Sequence, residues 1–375
     1  MDSLYFNENH IAFREKARFF VEQEILPFIN SWEKEKTFPR DLYLKAGNSG
    51  FLGLGYPEAY GGTPCDIFNE VIFTEEIIRC GSVGLASSLG SGAIGLPPIY
   101  ALGTEQQKQK FIPPVLRGEK IAVLGVTEPC GGSDVAHLQT TAEKKGDRYI
   151  VNGSKIFITS GTRADVVTTA VRTGGLGAGG VSLLLIETDT PGFSASGGYD
   201  KLGWHASDTA EISFMNCEVP VENLIGQENK GFAGIMVNFQ KERLLLGLEA
   251  QTVAEMALEA CLELMKQYPA VAKKQAIRHK LAEMASRIEA SKQFNYCNAY
   301  YIGQKQDVLK QVCMGKNFSS SVCDFVVDQA LNIHSDCGSL INPLVERLYR
   351  DSRVLSIGGG TYEIMNHLIA KLMEI

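Results

Sequence analysis

The stretch "GFAGIMVNFQKERLLLGLEAQTVAEMALEACLELMKQ", residues 231–267, runs without a proline over a span far longer than an ordinary surface helix. Phe232, Ile235, Met236 and Phe239 recur at three- and four-residue spacing, and Leu246, Ala250 and Val253 continue the same stripe. The segments 275–303 and 308–333 follow with the same proline-free helical pattern, and a shorter amphipathic segment comes after Gly358, Gly359 and Gly360. That is the content of a four-helix bundle, assigned to residues 229–375.

Upstream of residue 231 the pattern changes to strands. "ADVVTTAVRT", "GVSLLLIETD" and "TAEISFMNCEVP" are β-branched and apolar, bounded by Gly, Pro, Asp or Asn. "RYIVNGSKIFIT", residues 148–159, reads as two strands joined by a tight Asn152-Gly153 turn. Residues 119–228 are therefore expected to form a compact β unit inserted between helical ones. Before it, residues 1–118 read as helical. "NHIAFREKARFFVEQEIL" carries helical apolar spacing, and "CDIFNEVIFTEEIIRCG" reads as an amphipathic helix ending at a glycine. In "GTEQQKQKFIPPVLRGE" a capping box, Thr104 to Gln107, opens a helix that Pro113 is expected to stop.

Composition excludes several function classes. A net charge of −7 with no compensating basic block argues against a nucleic-acid surface. No apolar run reaches membrane-spanning length, and the start lacks the apolar core of a signal peptide. Nine cysteines without a CxxC pair favour reduced thiols and a cytoplasmic location over a metal or disulfide framework. "GLGAGG", Gly175 to Gly180, matches a dinucleotide fingerprint formally, but it leads into a strand rather than a helix and reads as a hairpin tip. The six histidines are scattered, and no G-x-S-x-G nucleophile signature is present.

Three features carry chemistry. Glu242 and Arg243 fall on the buried stripe of the long helix, where a carboxylate costs several kcal/mol unless it is paired or tuned for acid–base work. A structural ion pair with another helix explains the same pattern. "GVTEPCGGSD", Gly125 to Asp134, follows a strand end with Thr127, glycines and Ser133, groups able to meet a planar ring system and its phosphates. The glycines at 358–360 suit phosphate cradling, ligand access or a simple turn.

Together with "GYPEAYGG", "NGSKIFITSG", "KLGWHASDTAEISF" and the closing "GGGTYEIMNHLIAK", these stretches resemble the acyl-CoA dehydrogenase family in order and spacing from end to end. The resemblance implies a chain that is mainly α with an inserted β domain: an N-terminal helical domain, a middle β-barrel-like domain and a C-terminal four-helix bundle. It implies FAD where the domains meet, a homotetramer (or a heterotetramer with a second chain), and an electron-transferring flavoprotein as acceptor. The implied reaction removes the α-proton of an acyl-CoA thioester with a carboxylate while the β-hydride passes to the flavin, giving a trans-2-enoyl thioester. Many members carry the carboxylate at the position of Gly359. This chain resembles the isovaleryl- and long-chain-type branch, which places its base on the first bundle helix at the position of Glu242. Gly359 then leaves side-chain room for substrate and offers its N–H to the thioester oxygen.

Position by position, the resemblance puts Leu124, Val126, Thr127, Phe157 and Thr159 against the flavin ring and Ser133 near the pyrophosphate and substrate. Gln275, Thr361 and Glu363 meet the cofactor, and Arg243 lies near the nucleotide end of the substrate. Two motifs depart from the family pattern. An Arg-x-x-Phe-Gly stretch is replaced at Leu264, Gln267 and Tyr268, and a Gln-x-x-Gly-Gly stretch at Asn332, Ser335 and Asp336, while His205 replaces an arginine. The adenine half of FAD is therefore expected to be held differently. The alternatives are the same desaturation on an acyl-carrier-protein thioester, or a catalytically silent paralogue acting as a scaffold or heterotetramer subunit.

Overall fold

The computed structural model describes residues 4–236, 239–337 and 342–375. Its N-terminal part is helical: α1 (Glu8–Glu24), α2 (Ile29–Glu35), α3 (Asp41–Asn48), α4 (Ile67–Ile78), α5 (Val83–Leu89), α6 (Gly92–Gly95), α7 (Pro97–Leu102) and α8 (Glu105–Leu116). Side chains at the helix starts explain several boundaries. Asn7 and His10 cap α1 reciprocally, Asp66 accepts from Phe68 N at α4, and Thr104 and Gln107 form the expected capping box at α8.

Two expectations for these helices change. Helix α8 does not stop at Pro113 but continues through Pro113 and Pro114 to Leu116, because Val115 and Leu116 bury their side chains in the core and hold the last turn. Helix α4 is buried on most of its surface rather than amphipathic. Its Glu75 and Glu76 are enclosed, and Arg14 reaches both, at 2.7 and 2.9 Å. Paired carboxylates can occupy a helix face packed against other helices; unpaired ones rarely do.

The middle part holds β1 (Ala122–Gly125), β2 (Thr141–Lys145), β3 (Arg148–Ile158), β4 (Val166–Arg172), β5 (Val181–Glu187), β6 (Phe193–Ser196), β7 (Ala210–Pro220) and β8 (Leu224–Ile225). They form one mixed sheet in the order β6-β7-β3-β2-β4-β5-β8, with β1 added parallel to β4. No pairing joins β6 to β8 among the described residues, so the sheet is open rather than a closed barrel. Strands β4 and β5 are buried on both faces, as their largely apolar sequences allow, with Thr168, Thr169 and Ser182 enclosed among them. The Asn152-Gly153 hairpin is not formed. Strand β3 runs straight through it, with a register shift against β7 between Val151 and Gly153. Gly153 has φ +144°, and an added methyl would stand 2.6 Å from Thr140 Oγ1, so glycine is needed for a bulge instead of a turn. The real turn lies at Gly146, between β2 and β3.

The C-terminal part contains α9 (Gly231–Met236), α10 (Phe239–Gln267), α11 (Pro269–Ala272), α12 (Gln275–Gly303), α13 (Leu309–Asp336), α14 (Pro343–Ser352) and α15 (Tyr362–Leu372). The sequence makes 231–267 one helix; the junction at 237–238 lies outside the described residues. Helices α10, α12, α13 and α15 form the bundle, with α13 touching the other three. Helix α4 packs across α10 and α12, which joins the N-terminal helices to the bundle. Among the described residues, no helix is long and apolar enough to cross a membrane.

One buried pair fixes the sheet to the loop after β1. Lys155 Nζ lies 2.6 Å from Glu128 Oε1, and Glu128 also accepts from the N–H groups of Gln139 and Thr140. Burial alone would raise the Glu128 carboxyl, but the Lys155 ammonium outweighs it and holds the group down at about 2. Lys155→Met leaves that carboxylate buried without its counter-ion and is expected to cost about 3–5 kcal/mol. The double change Lys155→Met, Glu128→Leu is expected to cost less than the sum of the two single changes. Denaturant unfolding checks both; a Lys155→Met protein as stable as the parent would show that the pair is dispensable.

Candidate active site

Helix α10 carries Glu242 three residues after Phe239. The loop of residues 357–360 approaches it from the other end of the bundle domain. An added methyl on Gly359 would stand 3.5 Å from Glu242 Oε1 and 2.3 Å from Leu246 Cδ1, and Gly359 has φ +64°. Both close packing and backbone conformation therefore require glycine here. The glycine thus allows close approach to Leu246 and Glu242 of α10 and itself forms part of the cavity wall.

Two buried cations hold this loop. Arg243, 4% exposed, donates from Nε to Gly359 O at 3.3 Å, lies 4.9 Å over the Phe239 ring, and contacts Cys313 Sγ at 3.7 Å. Lys316 of α13, 1% exposed, donates to Gly360 O at 2.6 Å. Arg243 thus ties the loop to α10 while still forming part of the cavity wall. Glu242 itself faces the cavity. Burial pushes its carboxyl up to about 6, against the opposing pull of Arg243 and Lys316. Lys316 is lowered to about 8 by burial and then by Arg243.

Glu242, Arg243 and the glycine loop line a cavity of about 1210 Å³ between the three parts of the chain. Strand β1 contributes Leu124, the loop after it Val126, Thr127 and Ser133, the end of β3 Phe157, and the residue after β3 Thr159. Gly359 and Thr361 come from the last loop, and Glu242 and Arg243 from α10. Thr361 also caps α15 by accepting from Ile364 N at 3.3 Å. Gln275 and Glu363 do not line the cavity; both are exposed, Gln275 at the start of α12 and Glu363 in the first turn of α15. The replaced positions Leu264, Gln267 and Tyr268 lie at the end of α10, and Asn332, Ser335 and Asp336 at the end of α13. Those two ends meet, with Cys261 Sγ 3.9 Å from His334 Nδ1, away from Glu242. His205 bonds Lys201 O at 3.0 Å, and Arg350 Nη1 approaches its ring at 3.4 Å.

The cavity fits FAD. Its volume exceeds the roughly 300–1,000 Å³ of common small-ligand sites, leaving room for an acyl chain beside a flavin. Phe157 is held at φ +58° with its ring 61% exposed, a strained setting that keeps an aromatic face at the wall. The hydroxyls of Thr127, Thr159 and Ser133 and the unpartnered Ser87 Oγ supply polar groups to a largely apolar lining. Sequence reasoning missed Lys316, Ser87 and Glu249, which also lines this cavity. The signal for Glu249 was available: it follows Glu242 by seven residues on the same stripe.

Comparison with known proteins decides the family. The N-terminal, middle and C-terminal domains of acyl-CoA dehydrogenases match residues 7–119, 123–217 and 229–374. An acyl-CoA dehydrogenase of Bacillus subtilis is 36% identical over 99% of both chains. The chain belongs to the acyl-CoA dehydrogenase family. A probable acyl-CoA dehydrogenase from Mycobacterium abscessus superposes with a TM-score of 0.95 at 44% identity, covering 98% of this chain and 100% of its own. An acyl-CoA dehydrogenase from Bacillus anthracis, solved as a complex with FAD, superposes at 0.92 with 29% identity over 98% of this chain and 68% of its own. This acyl-CoA dehydrogenase is an FAD-dependent oxidoreductase of acyl-CoA thioesters.

Gly359→Ala forces a side chain into a left-handed backbone and against Leu246, at an expected cost of about 1–3 kcal/mol. Adding Leu246→Ala is expected to remove the contact part of that cost but not the backbone part. Thermal unfolding of the single and double variants measures both, and a Gly359→Ala protein of unchanged stability would show that the loop relaxes freely.

Proposed function

We propose that this acyl-CoA dehydrogenase uses Glu242 as the base that takes the α-proton of the acyl thioester, giving the trans-2-enoyl product. The observation that carries the reading is the Glu242 carboxylate in the cavity wall beside Gly359, where other members of the family hold their base. FAD in this cavity supplies the two-electron acceptor for the β-hydrogen. Leu124, Val126, Thr127, Phe157 and Thr159 would hold the flavin ring, Ser133 and Thr361 its polar chain.

The residues of the chain do the rest. A carboxylate whose proton affinity is raised toward neutrality is a stronger base while still mostly ionised at pH 7. Arg243 and Lys316 keep that affinity from rising further, and their bonds to the carbonyls of Gly359 and Gly360 fix the loop facing Glu242. No hydrogen bond from the Gly359 N–H is found among the described residues, which leaves it free for a thioester oxygen bearing enolate charge. An intact base argues for an active enzyme over a silent paralogue, and the acyl-CoA relatives favour CoA over carrier-protein thioesters.

The electron acceptor in this reading is an electron-transferring flavoprotein, the location cytoplasmic, and the assembly a homotetramer. Gln275 and the ends of α10 and α13 lie away from the chain's own Glu242, as expected of residues that meet the adenine half of a neighbour's FAD. The losses at Leu264, Gln267, Ser335 and Asp336 then weaken FAD retention. Purification without added FAD is expected to give partly apo protein, and a fully loaded tetramer after extensive dialysis would refute this part.

Glu242→Gln is expected to keep FAD and bind acyl-CoA but to slow flavin reduction about a thousandfold, measured by anaerobic stopped-flow bleaching. Bleaching at the parental rate would remove Glu242 as the base. Because only the carboxylate accepts a proton, kcat/KM is expected to fall as pH drops through about 6. An acid limb near the ordinary 4.5 would point to a solvated group instead.

A further inference from the structure

Glu249 is a second carboxyl in the wall of the same cavity, with no part in the proton transfer assigned to Glu242. Seven residues along one helix place it about 10.5 Å farther down the cavity on nearly the same face. Its Oε2 is closed off from solvent and has no hydrogen-bond partner, and no cation is paired with it among the described residues. Helices α4 and α10 also give this cavity the apolar side chains of Phe73, Ile77, Leu245 and Leu246, with Glu70 and Lys241 paired to each other at 2.5 Å. Thr74 of α4 donates its hydroxyl to Glu70 O at 2.8 Å.

A carboxyl oxygen shut off from solvent without a hydrogen-bond partner destabilises the protein. A polar ligand group placed against it would recover the missing hydrogen bond. Resting on the acyl-thioester reading above, we propose that Glu249 is a specificity residue that hydrogen-bonds a hydroxyl group on the acyl chain, two helical turns beyond the reacting α-carbon. A hydroxyl suits the site because it both donates and accepts. Burial, reinforced by Glu242, pushes the Glu249 carboxyl up to about 8, so at neutral pH it is a neutral acid with one donor and free acceptor capacity. An ionised chain terminus would face either Glu249 or the apolar walls without a counter-ion. A plain alkyl chain would leave the carboxyl unpaired.

The 10.5 Å offset corresponds to a chain of about ten carbons. Decanoyl-CoA and ω-hydroxydecanoyl-CoA are therefore the probes, with butyryl-CoA, too short to reach Glu249, testing the acyl-CoA reading alone. The holoenzyme is expected to turn over the hydroxylated decanoyl thioester with kcat/KM at least about tenfold above the plain one, mostly through KM. Calorimetry on Glu242→Gln holoenzyme is expected to show the same order of binding without turnover. Glu249→Gln keeps the preference, and Glu249→Leu abolishes or inverts it, while both leave butyryl-CoA turnover unchanged. Equal use of the two decanoyl thioesters by the parent, or a preference that survives Glu249→Leu, overturns the proposal while the acyl-CoA reading stands. Failure of all three thioesters to bind or react removes both.

Discussion

The carbonyl oxygens of Gly359 and Gly360 are held by two cations, Arg243 from α10 and Lys316 from α13, that are themselves almost wholly removed from water. Neither cation has a carboxylate salt-bridge partner among the described residues, so carbonyl dipoles and the nearby Glu242 carry the compensation. That is an expensive way to hold a loop, since burying a charge normally demands an opposite one. It makes sense only where the loop must be fixed to about the precision of a hydrogen bond. The site needs such precision, because Gly359 has to sit against α10 with no side chain between them.

The same two cations set the acid–base character of Glu242. Burial favours its neutral form, and Arg243 and Lys316 favour its ionised form; the outcome at about 6 lies between the two limits. Glu249, on the same helix but without such cations, goes further, to about 8. The contrast follows from position: the first turn of α10 faces α13 and the glycine loop, and two turns later the wall is apolar. One helix thus presents two carboxyls with different protonation at neutral pH, one suited to accept a proton and the other to make hydrogen bonds.

Much of this was legible from residues. The helix–sheet–helix order, the capping box at Thr104 and the anomaly of a charge on the stripe at Glu242 follow from local pattern and burial cost. What was not legible required knowing which element approaches which. Asn152-Gly153 has the chemistry of a hairpin turn, and a bulge uses the same positive-φ tolerance; only the partner strand β7 and the nearby Thr140 separate the two. Pro113 ordinarily ends a helix, but the burial of Val115 and Leu116 two positions on is a tertiary fact. The bond of Arg243 to a backbone carbonyl over a hundred residues away is likewise something no sequence window contains.

The distribution of oddities along the bundle has its own logic. At the Glu242 end, glycines, buried cations and the unpartnered Glu249 Oε2 are concentrated, each unfavourable for stability alone. At the opposite end, where α10 and α13 terminate near the start of α12, the residues are ordinary: Lys266 pairs with Glu263, Gln275 is exposed, and Tyr268 is partly open. A helix bundle can absorb strain at one end because the long, well-packed middle of α10 and α13, with Val253, Ala257, Val326 and Ala330 fully enclosed, supplies the stability. The departures from good packing thus gather at the cavity, where a bound substrate can offset them.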